Sequence, residues 1–489
     1  MENLNINWIL IAEIVYIIII ILVCLRIIYD TRSTTKTLAY LLITIFLPIL
    51  GMAIYFSFGI NYRKRKLYNK KIIEDERLYD RIQHQVLTSS RKIISEIAPP
   101  LASYTKLAQL LLKNDFSPIS NGNKVEILLN GEEKFKAVIP ALKNAKKHIH
   151  LEYYIIENDA IGNQIKDILI AKAQEGVEVR FIYDDFGSSS IRRKYVSELQ
   201  QNGVLAYPFY KIRLIALANR LNYRNHRKII VIDGQIAFTG GINISDRYIN
   251  SNTSSHDHLY WRDTHLLIEG PGINFLQSLF IADWNFCSGE QLIIKRDFFC
   301  TTSSPDGNAL VQIAASGPDS PHPTILLSLL QLINLAQQEV LITTPYFIPG
   351  ESLIDTMIVA SQSKVKVKLL VPEKSDSHFV DLAARSYYAE LLAAGVEIYM
   401  YNKGFVHAKT IVVDECVVSV GTANMDQRSF ELNFEVNALV YDIDTAKRLK
   451  SIFYDDIKDA TLLNSKEWVQ RKFYKQIPEK IARLLSPLL

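Results

Sequence analysis

Cysteine is scarce in this chain, and its net charge is small. The four cysteines, Cys24, Cys287, Cys300 and Cys416, include no CxxC pair and no other paired metal-ligand spacing. This pattern argues against a disulfide framework and against a zinc site. The formal net charge of +4 over 489 residues favours no class of partner, because bulk charge of this size says little about binding.

Two long apolar runs stand near the N-terminus. Residues 8–25 are apolar except for Glu13, and residues 37–60 contain no charged side chain. Each run is long enough to cross ~30 Å of hydrocarbon as a helix, which predicts a transmembrane helical hairpin. A cleaved signal peptide is the alternative for the first run, which lacks a basic start and a small-residue cleavage site. The role of Glu13 stays open.

Basic residues determine the orientation that we expect. Six lysines and arginines lie within residues 63–71, whereas the connection between the two apolar runs contains three. The positive-inside rule therefore predicts that the large part of the chain after the hairpin is cytoplasmic. The same basic cluster would face the anionic leaflet of the membrane.

The rest of the chain alternates between helix-like segments and β-rich apolar runs, and this order occurs twice. Such alternation predicts two αβ domains built on partly parallel sheets. A stretch rich in Ser, Thr, Pro and Gly separates them and is typical of a linker. The expected organisation is two transmembrane helices with a basic exit (1–66), a helical connector (67–123), a first αβ domain (124–295), a linker (296–323) and a second αβ domain with an amphipathic tail (324–489).

A repeated motif carries the chemistry. The first copy contains His226, Lys228, Asp233 and Asn243, and the second copy contains His407, Lys409, Asp414 and Asn424. The spacing from His to Asn is 17 residues in both copies, which stand 181 residues apart. The alternative is a pair of ordinary buried strands, each with a surface His and Lys, but two matching copies favour a shared function.

His and Lys two positions apart on a strand place their side chains on one face. Two such pairs suit a phosphodiester: Lys228 and Lys409 neutralise its non-bridging oxygens, and Asn243 and Asn424 add amide donors. One imidazole can then attack phosphorus while the other works as acid and base. This scheme requires no metal and no cofactor.

Four carboxylates accompany the two motifs. Asp263 and Glu435 follow them on strands, and we expect Asp263 to orient His226 and Glu435 to orient His407. Asp233 and Asp414 belong to the motif, but both precede a turn. Their predicted role is therefore to anchor a loop, and direct chemistry is the alternative.

These residues resemble the phospholipase D superfamily, whose mark is two His-x-Lys-x4-Asp motifs in one chain. The segments around them resemble the bacterial cardiolipin synthases, as do Trp261-Arg262-Asp263-Thr264-His265 and Gly404-Phe405-Val406-His407. The resemblance implies an α/β fold with two pseudo-symmetric phospholipase D-like domains, each a mixed sheet flanked by helices, after an N-terminal transmembrane hairpin.

The resemblance also implies an activity and a location. A phosphatidyl group passes from one phosphatidylglycerol to another and glycerol is released, with His226 as nucleophile and His407 as acid and base. The expected partners are phosphatidylglycerol and anionic lipids, and the expected location is the bacterial plasma membrane, as a multi-pass protein with cytoplasmic catalytic domains.

Three rival functions stay open at this point. A membrane-anchored phospholipase D would use water as acceptor and release phosphatidic acid. A nuclease would need a basic groove with stacking aromatics, and the two membrane runs argue against nucleic acid as a partner. An inactive scaffold is disfavoured because both motifs are complete. Residues 211–225 and 468–489 mix apolar and basic side chains, as expected either of a membrane-surface segment or of an amphipathic packing helix.

Overall fold

The computed structural model describes residues 8–31, 34–56, 87–114, 116–210, 223–252 and 259–485. The chain divides into two compact units, one that contains the apolar N-terminal residues and one that contains the two motifs. The basic cluster at residues 63–71 and most of the predicted membrane-surface segment 211–225 lie outside the described residues.

The first apolar run forms one continuous helix, Trp8–Asp30. Its 23 residues make it the one helix in the described residues that is long and apolar enough to cross a membrane. Nearly all of its apolar side chains are exposed, as expected of a helix that is covered by lipid and not by protein.

The second apolar run is broken in the middle. Helix Thr34–Phe46 ends before Leu47, and helix Pro48–Ile54 begins with a proline, which is favoured at the start of a helix and has no N–H for a preceding turn. A Cβ on Gly51 would lie 2.4 Å from the Cα of Thr44, so the two helices pack backbone against backbone. The expectation of one continuous spanning helix is therefore wrong for the described residues of 37–60.

The chain then returns towards the end of the first helix. The hydroxyl of Tyr55 lies 3.1 Å from the Asp30 carboxylate and 3.3 Å from the Arg26 carbonyl. Arg26 and Asp30 also form an ion pair at 2.8 Å. Residue 55 consequently lies beside residue 30, at the same end of helix Trp8–Asp30.

The second unit is built on a mixed sheet of fifteen strands. Its order is β19-β13-β12-β10-β15-β16-β18-β9-β1-β8-β6-β5-β2-β3-β4. The strands, with those of two further two-stranded sheets, are β1 Ser120–Leu129, β2 His148–Tyr153, β3 Glu178–Tyr183, β4 Leu205–Pro208, β5 Lys228–Ile232, β6 Ile236–Gly240, β7 Trp261–Arg262, β8 Thr264–Glu269, β9 Ala309–Ser316, β10 Glu339–Thr343, β11 Phe347–Ile348, β12 Lys366–Pro372, β13 Glu397–Tyr401, β14 Phe405–Val406, β15 Thr410–Val413, β16 Val417–Gly421, β17 Met425–Asp426, β18 Glu435–Tyr441 and β19 Ala460–Leu462.

The sheet consists of two halves of like topology. In the first half β2, β3 and β4 are parallel and β5, β6, β8 and β1 antiparallel. In the second half β10, β12 and β13 are parallel and β15, β16, β18 and β9 antiparallel. The antiparallel pair β1–β9 joins the halves. This arrangement confirms the predicted α/β class with two pseudo-symmetric halves.

Helices cover both faces of the sheet, so most residues of its strands are buried. The helices of the second unit include Thr105–Asn114, Asn130–Asn144, Ala160–Gln174, Lys194–Gln201, Ile273–Ser288, Thr324–Asn334, Glu351–Gln362, His378–Arg385, Tyr388–Ala393, Gln427–Glu431, Ile443–Asp456, Ser465–Val469 and Phe473–Leu485. Buried apolar side chains form large clusters on the two sides of the sheet.

Strand β9 lies inside the stretch that the sequence indicates as a linker, residues 296–323. All but one of its residues are buried, and residues 310–316 pair with β18. The linker prediction is therefore wrong for Ala309–Ser316, because this strand occupies the centre of the sheet. Strand β1 also begins at Ser120, within the predicted connector. The other domain limits stay predictions.

Candidate active site

Both motif histidines lie at the edge of the sheet where the parallel strands end. His226 precedes β5, whose first residue, Lys228, pairs with Tyr153 at the end of β2. His407 precedes β15, whose first residue, Thr410, pairs with Thr343 at the end of β10. This edge is where ligands commonly bind in α/β sheets, because side chains and loops converge there.

The backbone of each histidine is attached to the other half of the sheet. The N–H of His226 donates to the carbonyl of Phe434 at 2.9 Å. The N–H of His407 donates to the carbonyl of Arg262 at 2.7 Å. These bonds are long-range in sequence and bring the two motifs into one site.

The imidazoles pair with carboxylates in a crossed arrangement. Nδ1 of His226 lies 2.9 Å from Glu435, and Nδ1 of His407 lies 2.7 Å from Asp263. Both carboxylates are fully buried. The structure thus places Asp263 and Glu435 against the motif histidines, but the predicted pairing within each half is wrong. With Nδ1 paired, Nε2 is the ring nitrogen oriented for chemistry.

The two carboxylates are held differently. Asp263 accepts a bond from the N–H of Thr264 at 2.7 Å, and a Cβ on Gly241 would lie 2.1 Å from the same carboxylate. The second motif has Thr422 at the position of Gly241, and its hydroxyl donates to Glu435. The short Asp thus needs a glycine beside it, whereas the longer Glu lies against a hydroxyl donor.

The motif lysines are buried close to their histidines. Nζ of Lys228 donates to the carbonyl of His226 at 2.9 Å, and Nζ of Lys409 donates to the carbonyl of His407. Burial lowers the pKa of Lys228 to about 7 and that of Lys409 to about 8, although Glu435 and Asp263 oppose the shift. Each ammonium therefore lies in a site that favours an incoming anion.

Burial also keeps the two imidazoles neutral. The pKa of His226 is lowered by desolvation, which outweighs the attraction of Glu435. The pKa of His407 is lowered to about 3, first by desolvation and then by the charge of Lys409. Lys409 also acts on His226, and Lys228 also acts on His407, so charges from both motifs act on both rings. A neutral imidazole can act as nucleophile or base.

Comparison with known proteins agrees with this geometry. The family described as "Cardiolipin synthase, PLD-like domain" matches residues 138–258 and 329–457, and the family "Phospholipase_D-nuclease N-terminal" matches residues 14–59. The chain is 40% identical over 98% of its length to a cardiolipin synthase of Alkalihalophilus pseudofirmus, of which 93% is covered. It is 39% identical over 97% of its length to the major cardiolipin synthase ClsA of Bacillus subtilis, of which 98% is covered.

The chain belongs to the cardiolipin synthase family of the phospholipase D superfamily. This is a family of phosphatidyltransferases. A solved structure, the phosphatidylserine synthase of Haemophilus influenzae, shares the fold with a TM-score of 0.58 at 16% identity, covering 80% of this chain and 97% of that one. Family membership and the apolar helix Trp8–Asp30 indicate a membrane-associated protein.

Aromatic rings surround the two histidines of this cardiolipin synthase family member. Tyr154 lies 4.7 Å from His226 between ring centroids, and Trp261 lies 5.4 Å from His407. Tyr248 also contacts His407, at 6.0 Å. The sequence pattern indicates Trp261 only as part of the family resemblance and gives Tyr248 no role, because an aromatic residue on a strand or in a short turn usually indicates core packing.

The two motif asparagines differ in their surroundings. Nδ2 of Asn243 donates to the hydroxyl of Tyr248 at 2.7 Å, and its Oδ1 accepts from the N–H of Ile155 at 3.3 Å. Oδ1 of Asn424 is buried and has no hydrogen-bond partner among the described residues. The phosphate-binding role of both amides stays a prediction.

Lys134 is a buried lysine behind the first motif that the sequence did not reveal, and desolvation lowers its pKa well below the usual value. It is fully buried, and its Nζ donates to the carbonyls of Ile242 and Asn243 at 2.8 and 3.1 Å. It thereby holds the loop that carries Asn243. The helical segment around it reads as charged and solvent-facing, so its pattern contains no signal of burial.

The motif aspartates lie away from the histidines. Asp233 accepts bonds from the N–H groups of Lys146, Lys147 and His148 at 2.7–2.9 Å. Asp414 accepts equivalent bonds from residues 337–339. Seven residues of extended strand separate each aspartate from its histidine, a distance of roughly 20 Å. Both carboxylates thus bind backbone N–H groups in the way that a loop anchor does, and their role in catalysis stays a prediction.

Metal ligands do not gather in the described part of the chain. No group of three or more His, Cys, Asp or Glu side chains in these residues is arranged to hold a metal ion. The polar side chains of the site are instead suited to bind a phosphodiester by charge and to transfer protons.

Proposed function

We propose that this chain is a cardiolipin synthase that transfers a phosphatidyl group from one phosphatidylglycerol to a second, forming cardiolipin and glycerol. The observation that carries the proposal is the crossed pairing of His226 with Glu435 and of His407 with Asp263. It supports a single reaction centre with two oriented imidazoles, as a two-step phosphoryl exchange requires.

The first step forms a phospho-histidine. Nε2 of His226 attacks phosphorus of the first phosphatidylglycerol, and the bond from phosphorus to the head-group glycerol breaks. Protonated His407 gives its proton to the leaving alkoxide, so free glycerol departs and His407 becomes neutral. The phosphate anion raises the basicity of His407 on binding, which allows it to hold this proton despite its low pKa in the empty site.

The second step reverses these roles. Neutral His407 accepts the proton of a head-group hydroxyl on the second phosphatidylglycerol, and the resulting oxygen attacks the phospho-histidine. The bond between phosphorus and His226 breaks, and cardiolipin is released. Lys228 and Lys409 neutralise the non-bridging oxygens in both steps, and Asn243 and Asn424 donate amide hydrogens to them.

Product analysis tests this proposal. Purified protein in phosphatidylglycerol vesicles is expected to release cardiolipin and glycerol in equal amounts, with no effect of a chelator. His226→Ala and His407→Ala should each abolish both products, whereas the exposed His322→Ala should retain the wild-type rate. Phosphatidic acid as the main product would establish the hydrolase instead, and cleavage of DNA without lipid turnover would establish the nuclease.

We propose further that the catalytic unit is cytoplasmic and that the second apolar run re-enters the membrane without crossing it. Tyr55 returns to Asp30, which supports an exit on the side where helix Trp8–Asp30 ends. Arg26, Arg32, Lys36 and the six basic residues of 63–71 would then share one side, and residues 1–7 contain no Lys or Arg. This distribution satisfies the positive-inside rule better than two full spans do.

Labelling of engineered cysteines in intact cells tests this topology. In a background without the four native cysteines, Asn5→Cys should react with a membrane-impermeant reagent. Thr301→Cys, exposed in the catalytic unit, should react only after permeabilisation. Protection of Asn5→Cys in intact cells would indicate the hairpin with two spans.

A further inference from the structure

Helix Phe473–Leu485 exposes its apolar side. Phe473 is 73% exposed and Leu484 75%, whereas Ala482 is 1% exposed and Glu479 5%. A surface helix of a soluble protein buries its large apolar side chains and exposes its charges. In this helix a small residue and a carboxylate face the protein, and the large apolar residues face outwards.

The exposed apolar residues form one stripe. Phe473, Ile477, Ile481 and Leu484 recur at intervals of three or four residues and therefore lie on one face of the helix. Tyr474 lies beside them and is also exposed. A contiguous stripe of this kind marks an interaction surface, whereas single exposed apolar residues are ordinary.

Polar contacts hold the opposite side of the helix to the protein. Arg471 donates two bonds to the carboxylate of Glu479, at 2.7 and 2.8 Å, and its guanidinium lies 3.5 Å from the ring centroid of Trp468. Arg483 forms an ion pair with Glu390 at 3.1 Å and lies over the ring of Tyr387. These contacts orient the helix so that its exposed apolar residues face away from the protein.

The charge around the stripe is of one sign. Lys472, Lys475 and Lys480 are exposed, and the sole acidic residue of 470–485, Glu479, is buried against Arg471. By helical spacing Lys480 lies directly beside the stripe, and no acidic side chain of this helix is exposed. An apolar stripe with only basic exposed charges on its helix complements an anionic lipid surface, where acyl chains lie below negative head groups. A second protein chain of ordinary mixed charge would not need this asymmetry.

The helix lies on the active-site edge of the second half. It packs on helix His378–Arg385, which in turn packs on β11. Strand β11 pairs with β17, and β17 directly follows Asn424. Asp376, just before helix His378–Arg385, accepts a bond from Tyr346 at 2.7 Å and acts electrostatically on Lys409.

We propose that the stripe Phe473, Tyr474, Ile477, Ile481 and Leu484 lies in the surface of an anionic bilayer and holds the active-site edge against it. The apolar side chains enter the boundary between head groups and acyl chains, and the lysines contact the head groups. The membrane docking is inferred from the exposed side chains of this helix and does not require the proposed reaction. Only the advantage of docking for turnover of a lipid substrate rests on the proposed function.

Fluorescence of a labelled cysteine tests the docking in the full chain. The protein is reconstituted in phosphatidylglycerol vesicles with an environment-sensitive label at Ile481→Cys, in a background without native cysteines. The fluorescence emission of the label is expected to shift to shorter wavelength, and lipids that carry a quencher on the acyl chain are expected to quench it. A label at Leu205→Cys, an exposed apolar position on strand β4 at the far edge of the sheet, is the control and should report water.

Two results would overturn the proposal. The first is an aqueous spectrum at Ile481→Cys in anionic vesicles. The second is a blue shift that lipid quenchers leave unchanged and that weakens on dilution of the protein, since a second copy of the chain would then cover the stripe.

Turnover of a polar variant tests what the docking does. Replacement of Phe473, Ile477, Ile481 and Leu484 by serine should lower the rate on vesicles at least about tenfold, because buried apolar area is lost. The rate in mixed detergent micelles should stay unchanged. The control variant, Leu205→Ser with Val359→Ser and Leu462→Ser, removes exposed apolar residues elsewhere and should match the wild type on both substrates.

Equal rates of the polar variant and the wild type on vesicles would overturn the role in holding the active site. These measurements also distinguish a wrong docking surface from a wrong assignment of the reaction. If no cardiolipin forms under any condition while the label at Ile481→Cys is quenched by lipid, the docking holds and the assigned reaction is wrong.

Discussion

At the scale of single residues, the site depends on pairs that span the two halves. His226 belongs to the first motif, but its partner Glu435 is on β18 of the second half. A carboxylate in this position fixes the tautomer of the ring and stabilises the imidazolium that forms as a proton arrives. Neither half of the sheet therefore contains a complete histidine–carboxylate pair of its own.

Replacement of Glu435 tests the crossed pair. Glu435→Gln keeps the shape of the side chain but removes its charge, so we expect kcat to fall by ~100-fold or more while the protein stays folded. The rate of cardiolipin formation and a thermal melt measure the two effects. Glu373→Gln, an exposed control, should leave both unchanged. A near-normal rate for Glu435→Gln would contradict the role of this carboxylate.

The lowered pKa values of the two motif lysines predict how the activity depends on pH. A lysine with a lowered pKa is charged below that value and neutral above it. With values of about 7 for Lys228 and about 8 for Lys409, the empty site loses its positive charge as the pH rises. We expect kcat/KM for anionic lipid to fall as the pH rises above about 7, where Lys228 loses its proton first, and further above about 8, where Lys409 follows. The fall of kcat should lie at higher pH, because bound phosphate stabilises the ammonium.

An arginine provides a check on this assignment. Arginine keeps its charge at any pH of the assay, so Lys228→Arg should weaken the alkaline fall even if its absolute rate is lower. A pH profile of kcat/KM that is flat from pH 6 to 10 in the wild type would show that neither lysine titrates in this range.

At the scale of elements, hydrogen bonds anchor the C-terminal ends of β5 and β15, the strands that follow the motif histidines. Asp233 adopts a positive φ of 54° and Asp414 one of 51°, and each carboxylate accepts three consecutive backbone N–H groups. These bonds join the end of β5 to the start of β2, and the end of β15 to the start of β10. The motif thus combines a reactive end and an anchoring end on one strand.

Loss of an anchor should reduce stability more than chemistry. Asp233→Ala leaves three backbone donors without their acceptor, which should cost about 2–4 kcal/mol. A lower melting temperature with a kcat per folded molecule close to that of the wild type is expected. Asp297→Ala removes an exposed ion pair with Lys147 and serves as the control, with a change of about 0–1 kcal/mol. A normal melt with a collapsed kcat would instead favour direct chemistry by Asp233.

At the scale of the whole molecule, the two halves form one continuous sheet and one reaction centre. The junction is the antiparallel pair β1–β9, and β7 of the first half also pairs with β14 of the second. The second pair places Arg262 beside His407 and thereby brings the second motif to Asp263. Each chain should therefore contain one complete site.

Mixing inactive variants tests this arrangement. His226→Ala and His407→Ala each remove one imidazole from the single centre, so their co-expression should restore no activity. Co-expression of His226→Ala with His322→Ala should give the rate expected from the active chains alone. Recovery of turnover in the first mixture would show that halves of different chains combine into a site.

Much of this protein follows from local patterns in its sequence. The paired His-x-Lys motifs, the repeated alternation of helix and strand, and the apolar run of helix Trp8–Asp30 all depend on residues close together in the chain. These features determined the fold class, the repeat and the reactive residues. The position of Asp233 and Asp414 just before a turn is also visible in the local sequence, and it predicts that both residues anchor a loop.

Only the tertiary structure decided which groups meet. The exchange of Glu435 and Asp263 between the motifs, the central place of β9 and the return of Tyr55 to Asp30 are contacts between distant residues, which no local period encodes. The low pKa values of Lys228 and Lys409 likewise arise because many distant segments together exclude water from the site. The sequence therefore determined the reactive groups, and long-range packing determined their partners and their charge.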